Sequence, residues 1–323
     1  MNGARALIAL DWGTSRLRAS LVSADGQLIE SRASSAGIMH VAGGQFEEAL
    51  RDLCADWLQC GRYPVLASGM IGSRNGWREA PYLRCPAGLD EASRQAVTLR
   101  LQGGGLMQIA PGLTCVGADG VDDVMRGEET QIWGAQPQVG SCVILPGTHS
   151  KWALMGPSCR IEFFQTWLTG ELYALWTEHG ILGRLMRFGA ASPEDFAAGV
   201  RLGLAEFANA HHVLFAARTA GLLGRIEPEG LPDYLSGLLI GIEIGAATCA
   251  GSPFAARRSI AAPLREAMDV SPPFLLIGDA ELCGRYATAL AIAGWPSARA
   301  DDAVTLKGQW RLACAAGLME AEG

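Results

Sequence analysis

Leu10-Asp11-Trp12-Gly13-Thr14-Ser15-Arg16 and Leu145-Pro146-Gly147-Thr148-His149-Ser150-Lys151 are two renderings of one device. Each follows an apolar run of buried-strand type, Ala6 to Leu10 and Cys142 to Leu145. Each carries Gly-Thr at its tip, then Ser and a cation, and each leads into a second strand-like run, Leu17 to Val22 and Trp152 to Met155. Two such hairpins facing each other offer backbone N–H groups and hydroxyls from both sides, a concave anion site suited to a triphosphate. Neither fits the spacing G-x-x-x-x-G-K-[ST], so a P-loop is not indicated.

Working outward from the first device, 6–11 and 16–23 read as strands, Asp25-Gly26 as a hairpin turn and 28–32 as a third strand. The spacing of Phe46, Ala49, Leu50, Leu53 and Trp57 predicts a helix over 45–58, and 64–67 a short buried strand. Ser68 to Gly105 reads as a long loop region, with Gly103-Gly104-Gly105 a flexible turn. Val121 to Ala135 reads as a helix with Asp122 and Asp123 at the positive end of its dipole. The second device restarts the pattern with strands at 141–146, 151–155 and 160–165. Helices are expected at 166–187, 193–220 and 232–250, a strand at 274–277, a helix at 281–293, and a last helix opened by Asp301 and Asp302. The expected architecture is α/β, two copies of a three-stranded meander plus helices, divided into lobes 1–135 and 136–323.

Composition narrows the function. The 323 residues are 49% hydrophobic and 18% charged, with a net charge of -7, a soluble globular balance with material for a large core. No Lys/Arg run is present, which argues against nucleic acid as a partner. None of the nine cysteines forms C-x-x-C or sits at zinc spacing from a histidine. They read as reduced, structural residues of a cytoplasmic protein. The apolar run Tyr234 to Ala250 contains Glu243 and three glycines and falls short of the ~20 residues of a membrane span. Gly237, Gly241 and Gly245 share one helix face, which predicts close packing on another helix.

Several residues carry chemistry. Asp11, at a strand end, holds Mg²⁺ through water or caps its own turn. Thr14, Ser15, Thr148 and Ser150 offer hydroxyls to phosphate, and Gly13 and Gly147 let the backbone approach it. Gly278-Asp279, between a strand and a helix start, suits the nucleoside half of a nucleotide. Glu128 and Glu129 are candidates for accepting an alcohol proton. The loop after the 64–67 strand brings Ser68, Met70, Arg74, Trp77, Arg78 and Arg84. Its arginines suit a carboxylate, and Trp77 the apolar face of a sugar-like chain.

With these motifs the chain resembles the sugar kinase/actin-like ATPase superfamily (ribonuclease H-like fold) and, within it, the 2-dehydro-3-deoxygalactonokinase family. The resemblance rests on Asp11-Trp12-Gly13-Thr14-Ser15, Ala67-Ser68-Gly69-Met70-Ile71-Gly72-Ser73 and Gly127-Glu128-Glu129-Thr130-Gln131. It rests also on Thr148-His149-Ser150-Lys151-Trp152, Leu168-Thr169-Gly170-Glu171-Leu172-Tyr173 and Ser236-Gly237-Leu238-Leu239-Ile240-Gly241. It covers nearly the whole chain and is weaker over 86–112 and 251–272. It implies a duplicated mixed sheet with an interdomain cleft, and ATP- and Mg²⁺-dependent phosphorylation of 2-dehydro-3-deoxy-D-galactonate at its 6-hydroxyl. By position, Asp11 then belongs to phosphate loop one, Gly147, Thr148, Ser150 and Lys151 to phosphate loop two, and Gly278 and Asp279 to the adenosine motif. The base is Glu128 or Glu129, with Asp119 and Asp123 as alternatives. Expected partners are a small sugar acid and neither nucleic acid nor membrane, with a homodimer left open. A kinase for another acid, such as 2-dehydro-3-deoxygluconate, and a nucleotide-gated actin-like binding module are the rival readings.

Overall fold

In β1 (Ala6–Trp12) every second side chain, Ala6, Ile8, Leu10 and Trp12, enters one apolar cluster, as strand pleating requires. The same cluster takes Leu17, Ala19 and Leu21 from β2 (Leu17–Ser23) and Phe46 and Leu50 from α1 (Phe46–Cys54). β2 runs antiparallel to β1 with Asp11 opposite Arg18, and β3 (Leu28–Ser34) runs antiparallel to β2. β4 (Val65–Ser68) joins β1 in parallel, with Ser68 opposite Asp11. The computed structural model describes residues 6–117, 120–254 and 274–319.

The stretch expected to be a long loop holds β5 (Tyr82–Arg84), α2 (Leu89–Gln95) and β6 (Val97–Arg100), and β7 (Leu106–Ile109) follows directly after it. None is longer than seven residues, too short for periodicity to register. Gly103, Gly104 and Gly105 lie in the turn of the β6–β7 hairpin. The helix expected from Val121 is a strand and then a helix. β8 (Gly112–Val116) pairs with β9 (Asp122–Met125), so Asp122 and Asp123 are ladder residues. Gly127, at φ +108, breaks the chain before α3 (Glu128–Ala135). Strand order is β3-β2-β1-β4-β7-β6 in the larger sheet and β5-β8-β9 in the smaller.

β10 (Cys142–Leu145), β11 (Ser150–Met155) and β12 (Ile161–Trp167) repeat the meander. The helices α4 (Thr169–Glu178), α5 (Pro193–Glu206), α6 (Ala210–Val213), α7 (Ala216–Leu222) and α8 (Leu231–Thr248) follow. The two longest expected helices are thus broken. A 3-10 turn at Leu182–Leu185 follows α4, and another at Phe207–Asn209 interrupts 193–220. β13 (Phe274–Leu276) joins β10 in parallel, α9 (Ala280–Ile292) follows it, and β14 (Ser297–Arg299), unforeseen in the sequence, pairs with β13. The order β12-β11-β10-β13 reproduces β3-β2-β1-β4 with the same strand senses along β10 and β1, so the expected duplication is present.

The glycine stripe does what its spacing predicts. A Cβ at Gly237 would collide with the Phe196 carbonyl and one at Gly241 with that of Val200, so α8 lies backbone to backbone on α5. The last helix, α10 (Val304–Ala315), packs on α3 at the same intimacy through Gly134 and Gly308. Ile161 also forms a β-bridge with Ala87. These contacts move the expected division. One compact unit is Met1–Val139, Met155–Phe163 and Asp301–Gly323, and the other is Gly140–Leu154 and Phe164–Ala300. No helix among the described residues is long and apolar enough to cross a membrane. No disulfide joins the cysteines whose side chains are described.

Candidate active site

In the first unit, Asp11 stands near the end of β1 with its carboxylate half-exposed, 3.2 Å from the Arg18 guanidinium. Burial raises its pKa, and Arg18 pulls it back. Gly13, Thr14 and Ser15 form the turn to β2, closed by the Gly13 N–H on the Arg16 carbonyl, with both hydroxyl residues exposed. Gly37 seats that turn. The Ile38 and Met39 N–H groups donate to the Gly13 and Thr14 carbonyls, and a Cβ on Gly37 would strike Thr14.

A glycine contact carries the acidic pair to the same place. Gly69, at φ +89, leaves β4 so close to β1 that a Cβ would lie 3.0 Å from the Trp12 carbonyl and 3.7 Å from Asp11 Oδ1. Gly127 in turn would place a Cβ 3.3 Å from Gly69 Cα. α3 therefore starts beside the end of β1. Glu129 is 1% exposed, accepts from the Gly127 N–H at 2.7 Å and the Thr130 hydroxyl at 3.1 Å, and has its pKa pushed up to about 7 by burial and then by Glu128. Glu128 accepts from the Arg126 N–H at 3.0 Å and is half-buried. Asp123 lies in β9 and accepts from its own neighbour Val124, and Asp119 lies outside the described residues.

The substrate-loop candidates divide. Ser68 is buried, its hydroxyl accepting from Gln309 at 2.9 Å. Trp77 is half-buried, stacked on Phe46 and edge-on to Trp12. Met70 packs on the same apolar cluster, while Arg74 and Arg84 are exposed.

In the second unit the chain encloses a pocket of about 540 Å³, within the range of small-ligand sites. Gly147 and Thr148 of the second Gly-Thr turn border it, with Thr169 and Gly170 at the start of α4 and Asp279 and Tyr286 from α9. Asp279 caps α9, accepting from the Glu281 and Leu282 N–H groups at 3.0 Å. Arg285 crosses one wall, 2.5 Å from Asp233 and 3.2 Å from the Ser236 hydroxyl. The turn itself is fixed from behind. Glu171 N–H donates to the Thr148 carbonyl, and His149 meets the Glu171 carboxylate.

Two expected phosphate contacts face elsewhere. Ser150 is fully buried and donates to Glu243 Oε1 at 2.8 Å. Lys151 is buried, and its ammonium donates to the His149 carbonyl at 3.3 Å, bracing the turn from within. For Ser150 the reason is strand alternation, which turns it with Trp152 toward a buried acid that the sequence hides in an apolar helix. Glu243 on α8 is 1% exposed and accepts from Ser150, from Trp152 Nε1 at 2.7 Å, from Thr169 and from the Tyr286 hydroxyl at 2.7 Å.

A family model described as 2-keto-3-deoxy-galactonokinase matches residues 11–312. The chain belongs to this family. An Escherichia coli (strain K12) protein named 2-dehydro-3-deoxygalactonokinase is 39% identical over 238 residues, 73% of this chain and 78% of its relative. A solved structure from Sinorhizobium meliloti, provisionally assigned the same activity, aligns with a TM-score of 0.81 at 31% identity, covering 96% of this chain and 98% of its own. The activity class follows: a kinase with an alcohol acceptor.

For a member of the 2-keto-3-deoxy-galactonokinase family, the candidate-site residues least legible in the sequence are Glu243, Thr169, Tyr286 and the Arg285–Asp233 pair. A lone carboxylate within the run Tyr234 to Ala250 was the one signal, since an acid buried there needs donors from its neighbours. Replacing Glu243 with Ala leaves four donors without their acceptor, three of them buried. Denaturant unfolding is expected to show a loss of about 3 kcal/mol or more. Glu243→Gln is expected to lose less than half as much, because its oxygen still serves Trp152 and the Thr169 and Tyr286 hydroxyls can rotate to accept from its amide.

Proposed function

We propose that the chain transfers the γ-phosphoryl group of ATP to the 6-hydroxyl of 2-dehydro-3-deoxy-D-galactonate. What carries the proposal is the family match over residues 11–312, on a chain whose second unit holds a pocket bordered by Gly147, Thr148 and Asp279. ATP takes that pocket, with its phosphates toward the Gly147-Thr148 turn and its adenosine toward Gly278 and Asp279. The Gly13-Thr14-Ser15 turn of the first unit is a further candidate for phosphate contact.

Among the described residues no group of three or more His, Cys, Asp or Glu side chains could hold a metal. A nucleotide-borne Mg²⁺, which takes one or two carboxylates and keeps most of its water, fits Asp11, whose half-exposed charge has Arg18 at 3.2 Å as its one ionic partner among the described residues. Bound there, the ion would neutralise phosphate charge. The sugar acid lies along the 68–84 loop, beside Met70, Arg74, Trp77 and Arg84. Glu129, placed by the Gly69–Gly127 contact next to the Asp11 end of β1, takes the proton of the 6-hydroxyl. The oxygen bonds to the γ-phosphorus, the bond to the β,γ-bridging oxygen breaks, and ADP leaves with that electron pair. Positioning and charge neutralisation supply most of the rate, as in phosphoryl transfer generally. A cytoplasmic location belongs to the same proposal.

Three outcomes test it. Purified protein given ATP and a panel of 2-oxo-3-deoxy acids is expected to phosphorylate the galactonate form at C6 with the highest kcat/KM. Preference for the gluconate epimer would reassign the substrate, and ATP turnover indifferent to any acid would indicate a nucleotide-gated module. Asp11→Asn is expected to lower kcat about 10³-fold with an unchanged thermal melt. Because a base works only when deprotonated, kcat is expected to fall tenfold per pH unit below about 7. Glu129→Gln is expected to remove that limb and lower kcat at least about 10²-fold. Glu128→Gln takes away a repelling charge and is expected to move the limb to lower pH. A limb unmoved in both variants would exclude Glu129 as the base.

A further inference from the structure

Arg126 is the charged group of the first unit that folding leaves least compensated. It is 8% exposed, stacked 4.2 Å over the Tyr82 ring, and its guanidinium makes one hydrogen bond, from Nη2 to the Ala80 carbonyl at 2.8 Å. Nε and Nη1 have no partner, so the N–H at Nε and both at Nη1 are buried and unused. Among the described residues no carboxylate lies within ion-pair distance of it. A buried guanidinium left so is costly, and a side chain needed only for packing would not keep the charge. A second orphan sits in the segment packed against it. The Ser73 hydroxyl is also buried without a partner, and its neighbour Gly72 faces the guanidinium so closely that a Cβ would lie 2.9 Å from Nη1. The place is right for substrate. Arg126 directly precedes Gly127, the residue that touches Gly69 beside Asp11.

We infer that Arg126, with the Ser73 hydroxyl, is the receptor for the carboxylate of the sugar acid, and that the exposed Arg74 and Arg84 are not. This rests on the sugar-acid kinase proposal and deepens it. A planar fork with unused N–H groups matches a carboxylate. A guanidinium already out of water gains more from that partner than an exposed one, whose charge is screened. Entry requires the Gly72–Ala80 turn, joined at its base by the Ala80 N–H on the Gly72 carbonyl at 2.9 Å, to move aside. Substrate binding would then order this turn over the acid.

The test uses two acceptors, the 2-oxo-3-deoxy acid and its neutral C1 carboxamide, on the full chain with ATP. In Arg126→Gln the KM for the acid is expected to rise about 10- to 100-fold, the KM for ATP to stay within about twofold, and the preference for acid over amide to collapse toward unity. Arg126→Lys, which keeps the charge but not the fork, is expected to fall between and gives the answer should the Gln variant fail to fold. Arg74→Ala is expected to change the preference by less than about threefold. A structural role for Arg126 would weaken acid and amide alike and leave their ratio intact, and that result overturns the inference. So does a loss of preference in Arg74→Ala instead. A wild type that phosphorylates neither acceptor overturns the kinase proposal itself, and this inference with it.

Discussion

Four donors from three elements end on the carboxylate of Glu243. Ser150 and Trp152 reach it from β11, Thr169 from the start of α4, and Tyr286 from α9. The acid is out of water, so burial raises its pKa while those four bonds draw it down. What the arrangement fixes is the wall of the pocket. Thr169 and Tyr286 border the cavity, and β11 is the strand that leaves the Gly147-Thr148 turn. If Glu243 were lost, the pocket would have to rebuild two of its sides. It stays in place because α8 cannot rotate. Its glycines lie backbone to backbone on α5, and any turn of the helix would drive α-carbons into carbonyls.

The first unit meets the same demand by a different means. It has no buried hub at its site. Two glycines with positive φ let three chain segments converge where side chains would not fit, β1 carrying Asp11, the exit of β4, and the entrance to α3 with its acidic pair. A Cβ at either point would be tight, and both residues hold φ values that L side chains rarely adopt, so a substitution would disturb the approach on which the proposed role of Glu129 depends. The chain conformation at Gly69 and Gly127 thus belongs to the proposed site, although neither residue has a functional group.

The fold was largely legible because duplication repeats its evidence. Either hairpin alone is a common turn, whereas the two at matching strand positions implied the shared order of meander and parallel strand that both sheets display. What escaped was short or depended on tertiary contact. β6 and β7 have four residues each, and Asp122 and Asp123 look like a helix start until β8 is there to pair with them. Positions bordering the pocket were legible where backbone geometry leaves a mark, as at Gly147 and the Asp279 cap. The site was misjudged where function was inferred from residue type alone. Ser150 and Ser68 bear hydroxyls next to plausible phosphate or sugar positions, but strand alternation turns both inward, to Glu243 and Gln309. A sequence shows which residues can donate a hydrogen bond. It does not show which partner an unseen neighbour has already provided.

That difference separates the charges that maintain the fold from those poised to act. Glu243 is buried, and each of its oxygens accepts two hydrogen bonds, so further interaction has little to add. Asp11, Glu129 and Arg126 are incompletely answered by contrast. Asp11 has one arginine at 3.2 Å, Glu129 has a second carboxylate next to it in place of a cation, and Arg126 has one bond for a whole guanidinium. Their signs complement the three charges a phosphoryl transfer to a sugar acid brings or develops: a cation with the nucleotide, a proton leaving the hydroxyl, and a carboxylate on the acceptor. In the proposed reaction, nucleotide and sugar acid would complete these three groups, and that is where binding energy would act on the transition state.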